Sequence, residues 1–82
     1  MKQKGLIKLK KCIGLTRKPK KGVFVAKRNY LDAGKEPDPD LEEMVREGYA
    51  LVHHGKSGHW YAVSDEGLRK MEVVLDIKIV RV

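Results

Sequence analysis

Residues 38–68, DPDLEEMVREGYALVHHGKSGHWYAVSDEGL, decide the fold, because helix, strand and turn signals follow one another through this stretch without a gap. Asp38 precedes Pro39, a pair typical of a helix N-cap followed by proline at the first helical position. Acidic residues occupy the next turns, where the helix dipole favours negative charge. Gly48 suits the position just beyond the helix. The stripe that this helix is predicted to bury consists of Leu41, Met44 and Val45.

Two β-rich segments, 49–54 and 59–64, flank the turn sequence GKSG and predict a hairpin. With Lys56 and Ser57 at its tip, His54 faces His59 and Val52 faces Tyr61. Both faces of this hairpin are apolar, so we expect other parts of the protein to cover each of them. One face carries Ala50, Val52, Tyr61 and Val63, and the other carries Tyr49, Leu51, Trp60 and Ala62.

The segments that follow the hairpin have weaker signals of secondary structure. Ser64 is predicted to cap a short helix that buries Leu68 and Met71. Residues 73–82 alternate between apolar and polar side chains and predict a strand. The free edge of this strand can pair within the sheet or with a second copy of the chain, giving a homodimer.

The N-terminal part begins with a helix pattern, because Leu6, Leu9 and Ile13 fall at positions i, i+3 and i+7. We predict a helix over residues 3–13 that ends near Gly14, then a basic loop to residue 22. Residues 23–26 fit a strand or the start of a helix equally well. Residues 34–39 predict a turn-rich break. The fold class is α+β, with residues 1–82 forming a single domain whose basic segment 1–22 can be partly flexible.

The central stretch also resembles the second half of a winged helix-turn-helix domain, over residues 39–71. That family often has a helix ending L-x-x-L-V-x-x-G-L/Y, then a two-stranded wing, then Y-x-V-T/S-D/E-x-G. Leu41, Met44, Val45, Gly48 and Tyr49 match the first motif, and Tyr61, Val63, Ser64, Asp65 and Gly67 match the second. The resemblance implies a small winged-helix-like domain with a hairpin wing and a C-terminal strand, and a DNA-binding role.

The chain departs from this family in two ways. A helix-turn-helix needs two helices before the wing, whereas residues 23–40 predict one irregular segment. The helix before the wing usually enters the major groove, but here its surface is acidic. A vaguer resemblance, of residues 28–31 followed by the acidic capped helix, is to small phage- and prophage-encoded proteins of unknown function. It implies a mobile-element origin and no particular activity.

Charge is distributed very unevenly along the chain. Residues 1–30 contain eleven lysines and arginines and no acid, whereas residues 31–48 contain seven acids and two bases. A basic third without carboxylates attracts phosphate, so we predict nucleic-acid binding, with DNA favoured over RNA. A solvated, lysine-rich face that merely aids solubility is the alternative. The predicted contacts are Lys8, Lys10, Lys11, Arg17, Lys18, Lys20, Lys21, Lys27, Arg28 and Lys56.

The aromatic residues are predicted to lie mostly in the core, because so small a domain needs them there. Tyr30, beside Lys27 and Arg28, is the best candidate for stacking on a base. A second hypothesis is a protein-interaction module that uses the acidic helix 40–47 and the apolar hairpin. The acidic contacts in that case would be Glu42, Glu43 and Glu47.

Other functional classes find less support. The three histidines and Cys12 lack the spacing of a structural zinc site, so we predict no metal and no cofactor. No nucleophile with a positioned base can be assembled, which argues against an enzyme. The amphipathic N-terminal stretch is short and lacks Trp or Phe anchors for a membrane surface. A single cysteine and the lack of an apolar leader segment lead us to expect a cytoplasmic protein.

Overall fold

The structure is a computed structural model that describes residues 1–82, except for the side chain of Lys20. The elements described are α1 (Gln3–Ile13), β1 (Val23–Ala26), β2 (Leu31–Gly34), α2 (Pro39–Arg46), β3 (Ala50–His54), β4 (His59–Val63), α3 (Asp65–Leu75) and β5 (Lys78–Arg81). A short 3-10 turn precedes β1. These elements form an α+β domain with two small sheets, which confirms the α+β class that the sequence predicts.

Helix α1 has the predicted bounds. It ends because Gly14 adopts a left-handed conformation, φ 74°, and its N–H bonds back to carbonyls of the last turn. Leu9 and Ile13 are completely or almost completely buried, at 0% and 2% exposure. The helix packs on α2 and β4, so the basic N-terminal segment supplies part of the hydrophobic core.

Helix α2 also begins as predicted. The Asp38 carboxylate accepts hydrogen bonds from the backbone N–H groups of Asp40 and Leu41, at 3.0 and 3.1 Å. Gly48, with φ 85°, carries the chain out of the helix at the other end. Leu41 and Met44 are fully buried against α1 and the hairpin. The capping signals in the sequence therefore locate this helix correctly at both ends.

Strands β3 and β4 form the predicted hairpin in the predicted register, with His54 opposite His59 and Val52 opposite Tyr61. The sequence analysis missed β2, which pairs antiparallel with the other edge of β4 and makes that strand central. Because β2 has only four residues and ends in glycine, its sequence gives little local signal of a strand, and its pairing is irregular between Asp32 and Gly34.

The two faces of the hairpin have different surroundings. Tyr61 and Val63, on the inner face, are buried at 1% and 3% exposure. Leu51 and Trp60, on the outer face, are 59% and 39% exposed. The expectation that other parts of the protein cover both faces is therefore wrong, as is the expectation of a core position for Trp60. The domain has too few elements to place a layer on each side of the sheet.

Strands β1 and β5 pair parallel in the second sheet, with Val25 opposite Val80. Residues 23–26 are therefore a strand, one of the two alternatives that their sequence left open. The prediction of a strand over 73–82 is wrong for its first five residues, because α3 continues through Leu75 and a turn follows it. The helix ends where Asp76 adopts a left-handed φ of 53°, and the strand begins only at Lys78.

Helix α3 begins at the predicted cap, where the Ser64 hydroxyl accepts a hydrogen bond from the N–H of Gly67 at 3.0 Å. Leu68 and Met71 are buried, as predicted. Gly67 lies so close to the segment between α2 and β3 that a Cβ at this position would be 2.0 Å from the carbonyl oxygen of Tyr49. Only glycine fits at this contact, which gives a steric reason for that residue in the first turn of α3.

Candidate nucleic-acid interface

Several of the predicted cations gather where α1 ends. Lys10 and Lys11 occupy the last turn of α1, and Arg17 and Lys18 follow in the exposed loop. A groove at this place is lined by Lys10, Arg17 and Lys18 together with apolar side chains that include Ile77. Among the described side chains, none of these four cations forms an ion pair within 4.0 Å. Their charge is thus directed to solvent.

Arg28 joins this group from the segment between β1 and β2. Its guanidinium donates a hydrogen bond to the carbonyl oxygen of Lys11 at 2.8 Å. Carbonyl groups at the end of a helix carry partial negative charge, so this is a favourable place for a cation. Arg28 remains exposed, as do its neighbour Lys27 and, before β1, Lys21. The segment 27–28 is therefore tied to the end of α1.

Lys8 has a different environment from the other predicted contacts. Its ammonium group forms an ion pair with Asp38 and lies 3.5 Å from the carboxylate of Asp40. The hydrogen bond to Asp38 raises the pKa of Lys8 above its ordinary value. Only 29% of the Lys8 side chain is exposed. The structure therefore places the charge of Lys8 against the start of α2, within the fold.

Tyr61 completes a polar network around Asp38. Its hydroxyl accepts a hydrogen bond from the Asp38 backbone N–H at 3.0 Å and donates one to Glu42 at 2.6 Å. Burial and the bond to Glu42 raise the pKa of Tyr61 to about 12. Burial acts to raise the pKa of Asp38 too, but Lys8 and two backbone N–H groups of α2 outweigh it, and that pKa lies below its usual value.

The acidic residues of the alternative hypothesis are only partly available. Glu42 accepts the hydrogen bond from Tyr61, and Glu43 forms an ion pair with Lys2 at 3.0 Å. Glu47 is exposed where α2 ends. Two of the three carboxylates therefore make contacts inside the domain, which leaves a smaller acidic surface than the sequence predicts.

The remaining predicted cations are Lys56 and Lys20. Lys56 is exposed in the turn of the hairpin, on a different element from the cations near α1. The side chain of Lys20 lies outside the described residues. The predicted set therefore divides into a group around the end of α1, an isolated cation at the hairpin tip, and Lys8 within an ion pair.

Tyr30 is half exposed, at 49%, as its predicted stacking role requires. Its backbone N–H donates to the carbonyl oxygen of Cys12 at 2.8 Å. The preceding residue, Asn29, forms two hydrogen bonds with the backbone of Val63 through its side-chain amide, at 2.7 and 2.8 Å. Sequence reasoning missed Asn29, because its importance depends on pairing with a strand that lies 34 residues away.

Of the residues weighed for a zinc site, His54 and His59 come together and Cys12 lies apart in the core. The Nδ1 atoms of His54 and His59 lie 2.6 Å apart across the hairpin. Cys12 is completely buried in the core, and this burial raises its thiol pKa to about 11. Within the described part of the chain, no group of three His, Cys, Asp or Glu residues is placed to hold a metal ion.

Comparisons with protein-family models, with curated proteins and with solved structures found no match to this chain. None of the helices described here is long and apolar enough to cross a membrane.

Proposed function

We propose that this chain is a small, non-enzymatic nucleic-acid-binding protein that contacts phosphates through the cations around the end of α1. The observation that carries the proposal is the exposure of Lys11, Arg17, Lys18, Lys21 and Lys27. Phosphate contacts of this kind provide affinity and orientation but little sequence information. We expect binding to depend steeply on salt, because each neutralised phosphate releases counterions.

The absence of carboxylates from residues 1–30 supports this proposal. The acids that contact this region, Asp38, Asp40 and Glu43, bind Lys8 and Lys2 on the part of α1 that faces α2. Among the described side chains, no carboxylate forms an ion pair with the cations at the other end of α1. A phosphate chain is a natural partner for such a group of unpaired cations.

A winged-helix-like arrangement is part of the proposal. The order α2, hairpin, α3 agrees with the resemblance over residues 39–71, while the described chain has one helix between β2 and β3. Arg46 and Glu47 are the exposed charged residues where α2 ends, and the N-terminal half of that helix carries carboxylates. We therefore propose that α2 does not enter the major groove of DNA. A phage or prophage origin rests on the sequence resemblance alone.

The test is a fluorescence-anisotropy titration of the full chain with labelled duplex DNA at about 50 and 200 mM salt. We expect affinity to fall by about a thousandfold over this range if five or six phosphates are contacted. The variant Arg17→Glu/Lys18→Glu/Lys21→Glu changes three exposed loop positions. It should weaken binding at least about tenfold and lower the salt slope by about three, one for each lost contact.

The matched control is Lys35→Glu/Arg46→Glu/Lys70→Glu, which makes the same change in net charge outside the basic third. This variant should retain most of the affinity, because its positions lie on other elements. Equal losses in both variants would mean that only net charge matters and would contradict the proposed surface. Failure of the unmodified chain to bind either duplex or single-stranded DNA at about 50 mM salt would overturn the proposed function.

A further inference from the structure

The outer face of the sheet formed by β2, β4 and β3 carries a group of aromatic rings. Trp60 stands at its centre, with the His53 ring stacked beside it at a centroid distance of 5.0 Å and an interplanar angle of 16°. Tyr30 lies on the other side, with ring centroids 6.4 Å apart. Leu51 and Ala62 line the same shallow groove. We call these five residues the aromatic face.

The aromatic face is open although it is apolar. Leu51 is 59% exposed, Tyr30 49% and Trp60 39%. Single exposed apolar residues need no explanation, but contiguous ones indicate a binding surface. The position of Tyr30 on this face is also well defined, because Asn29 bonds to both the N–H and the carbonyl of Val63. The fold thus holds an exposed ring in place instead of burying it.

Charge complementarity decides the class of occupant. Tyr30 lies two residues after Arg28, which is exposed and bonds to the carbonyl of Lys11, and the Tyr30 N–H bonds to the carbonyl of the next residue, Cys12, so the aromatic face adjoins the basic group around the end of α1. The occupant should therefore combine flat apolar surfaces with negative charge. Unpaired bases joined by phosphates meet both requirements, whereas the bases of a duplex are stacked on each other and cannot reach the rings.

We propose that the aromatic face binds single-stranded nucleic acid by stacking unpaired bases on Tyr30 and His53, with the adjoining phosphates at Lys27 and Arg28. This inference deepens the proposed function and rests on it, since the same basic group supplies the phosphate contacts. Trp60 supports the two outer rings from between them. The chain therefore prefers single strands to duplexes.

One carboxylate beside the aromatic face affects the path that the phosphate backbone of the nucleic acid takes. Asp32 pairs with Trp60 in the ladder between β2 and β4, and its carboxylate accepts a hydrogen bond from the Gly34 N–H at 2.8 Å. A phosphate near this exposed carboxylate would be repelled. The phosphate backbone should therefore pass on the Arg28 side of the rings. Asp32→Asn should tighten binding of a single strand about twofold to fivefold at low salt.

The experiment uses the chain's own fluorescence, because Trp60 is its single tryptophan. The probe is oligodeoxythymidine, titrated into the full chain at about 50 mM salt, with the same measurements on duplex DNA. We expect saturable quenching of Trp60 by the single strand. Tyr30→Leu keeps an apolar side chain but removes the ring, and it should weaken oligodeoxythymidine binding about tenfold while leaving duplex binding unchanged.

Val73→Ala is the control, since Val73 is 77% exposed on α3 and belongs to no part of the aromatic face. It should leave both affinities unchanged. Thermal melting of each variant checks that the fold is retained, and Asp32→Asn provides a second test in which affinity rises instead of falling.

The outcomes separate the two proposals. Duplex binding without preference for the single strand, and without quenching of Trp60, would overturn the proposed role of the aromatic face and leave the proposed function intact. Failure to bind either nucleic acid would overturn both. A concentration-dependent dimer that buries Trp60 in the absence of DNA would also contradict this inference, because a second copy would then occupy the face.

Discussion

The two ends of helix α1 have similar sequences and very different electrostatic surroundings. Lys2, at the N-cap, and Lys8, at the middle of the helix, face α2 and form ion pairs with Glu43, Asp38 and Asp40. Lys10 and Lys11, two and three residues after Lys8, form no such pair among the described side chains. The sequence alone shows one uninterrupted basic segment. The fold divides it into a half that holds the domain together and a half that is free to bind phosphate.

Among the contacts between α1 and α2, the largest effect on stability is expected for Asp38→Ala. This change removes the N-cap of α2 and the partner of Lys8 together. Loss of an N-cap costs about 0.5–2 kcal/mol, and a partly buried Lys8 without its carboxylate adds to that cost. We expect a fall of about 2 kcal/mol in the free energy of unfolding, measured by urea denaturation. Glu47→Ala, at an exposed position beyond α2, is the control and should change it by less than about 0.5 kcal/mol.

Tyr61→Phe tests the next part of the same network. It leaves the aromatic ring in the core but removes the hydroxyl that bonds to Asp38 and Glu42. We expect a loss of about 1–2 kcal/mol in the free energy of unfolding, because a partly buried N–H loses its acceptor. Tyr30→Phe is the matched change at an exposed ring. If both variants were equally stable, the network would contribute nothing to the fold.

The pH dependence of stability sharpens the comparison. The folded-state pKa of Asp38 lies below its ordinary value of 3.8. The ionised form is thus favoured in the folded state, and its contribution is present above pH 4 and lost as the pH falls through the folded-state pKa. Melting temperatures measured between pH 6 and 2.5 should fall less steeply below pH 4 for Asp38→Asn than for the unmodified chain. Parallel curves would show that Asp38 does not couple to folding.

The smallest effect is expected for Lys2→Ala. The Lys2 side chain is 75% exposed, and its ion pair with Glu43 is screened by water. Exposed pairs contribute little, so the free energy of unfolding should change by less than about 0.5 kcal/mol. The same urea titration provides the measurement. A loss as large as that of Asp38→Ala would mean that the ends of α1 and α2 are held together mainly by this surface pair.

Sequence reasoning located the elements whose signals are local. The caps at Asp38 and Ser64, the end of α1 at Gly14 and the register of the hairpin all depend on residues a few positions apart. It missed β2 and extended the last strand over the end of α3, because the evidence for these two boundaries comes from partners far along the chain. Alternation in 73–77 resembled a strand, but helix hydrogen bonding continued through Leu75.

In the candidate site, too, the features with local sequence signals were predictable and those that depend on distant residues were not. The exposure of Tyr30 and the cations beside it were predictable, because a run of bases without acids is a property of the sequence. The ion pair of Lys8, the role of Asn29 and the open face around Trp60 were not. Each depends on which element packs against which, and a pattern of apolar residues does not show whether a second layer covers them.

The sequence by itself thus determined the class of this protein: an α+β domain with a capped helix, a hairpin in fixed register and a strongly basic first third. These features come from short-range hydrogen bonding, side-chain periodicity and charge. Tertiary structure alone decided which charges are neutralised and which rings remain exposed. The reason is that burial and Coulomb contacts depend on distances between residues that are remote in the chain, such as Lys8 and Asp38 or Asn29 and Val63.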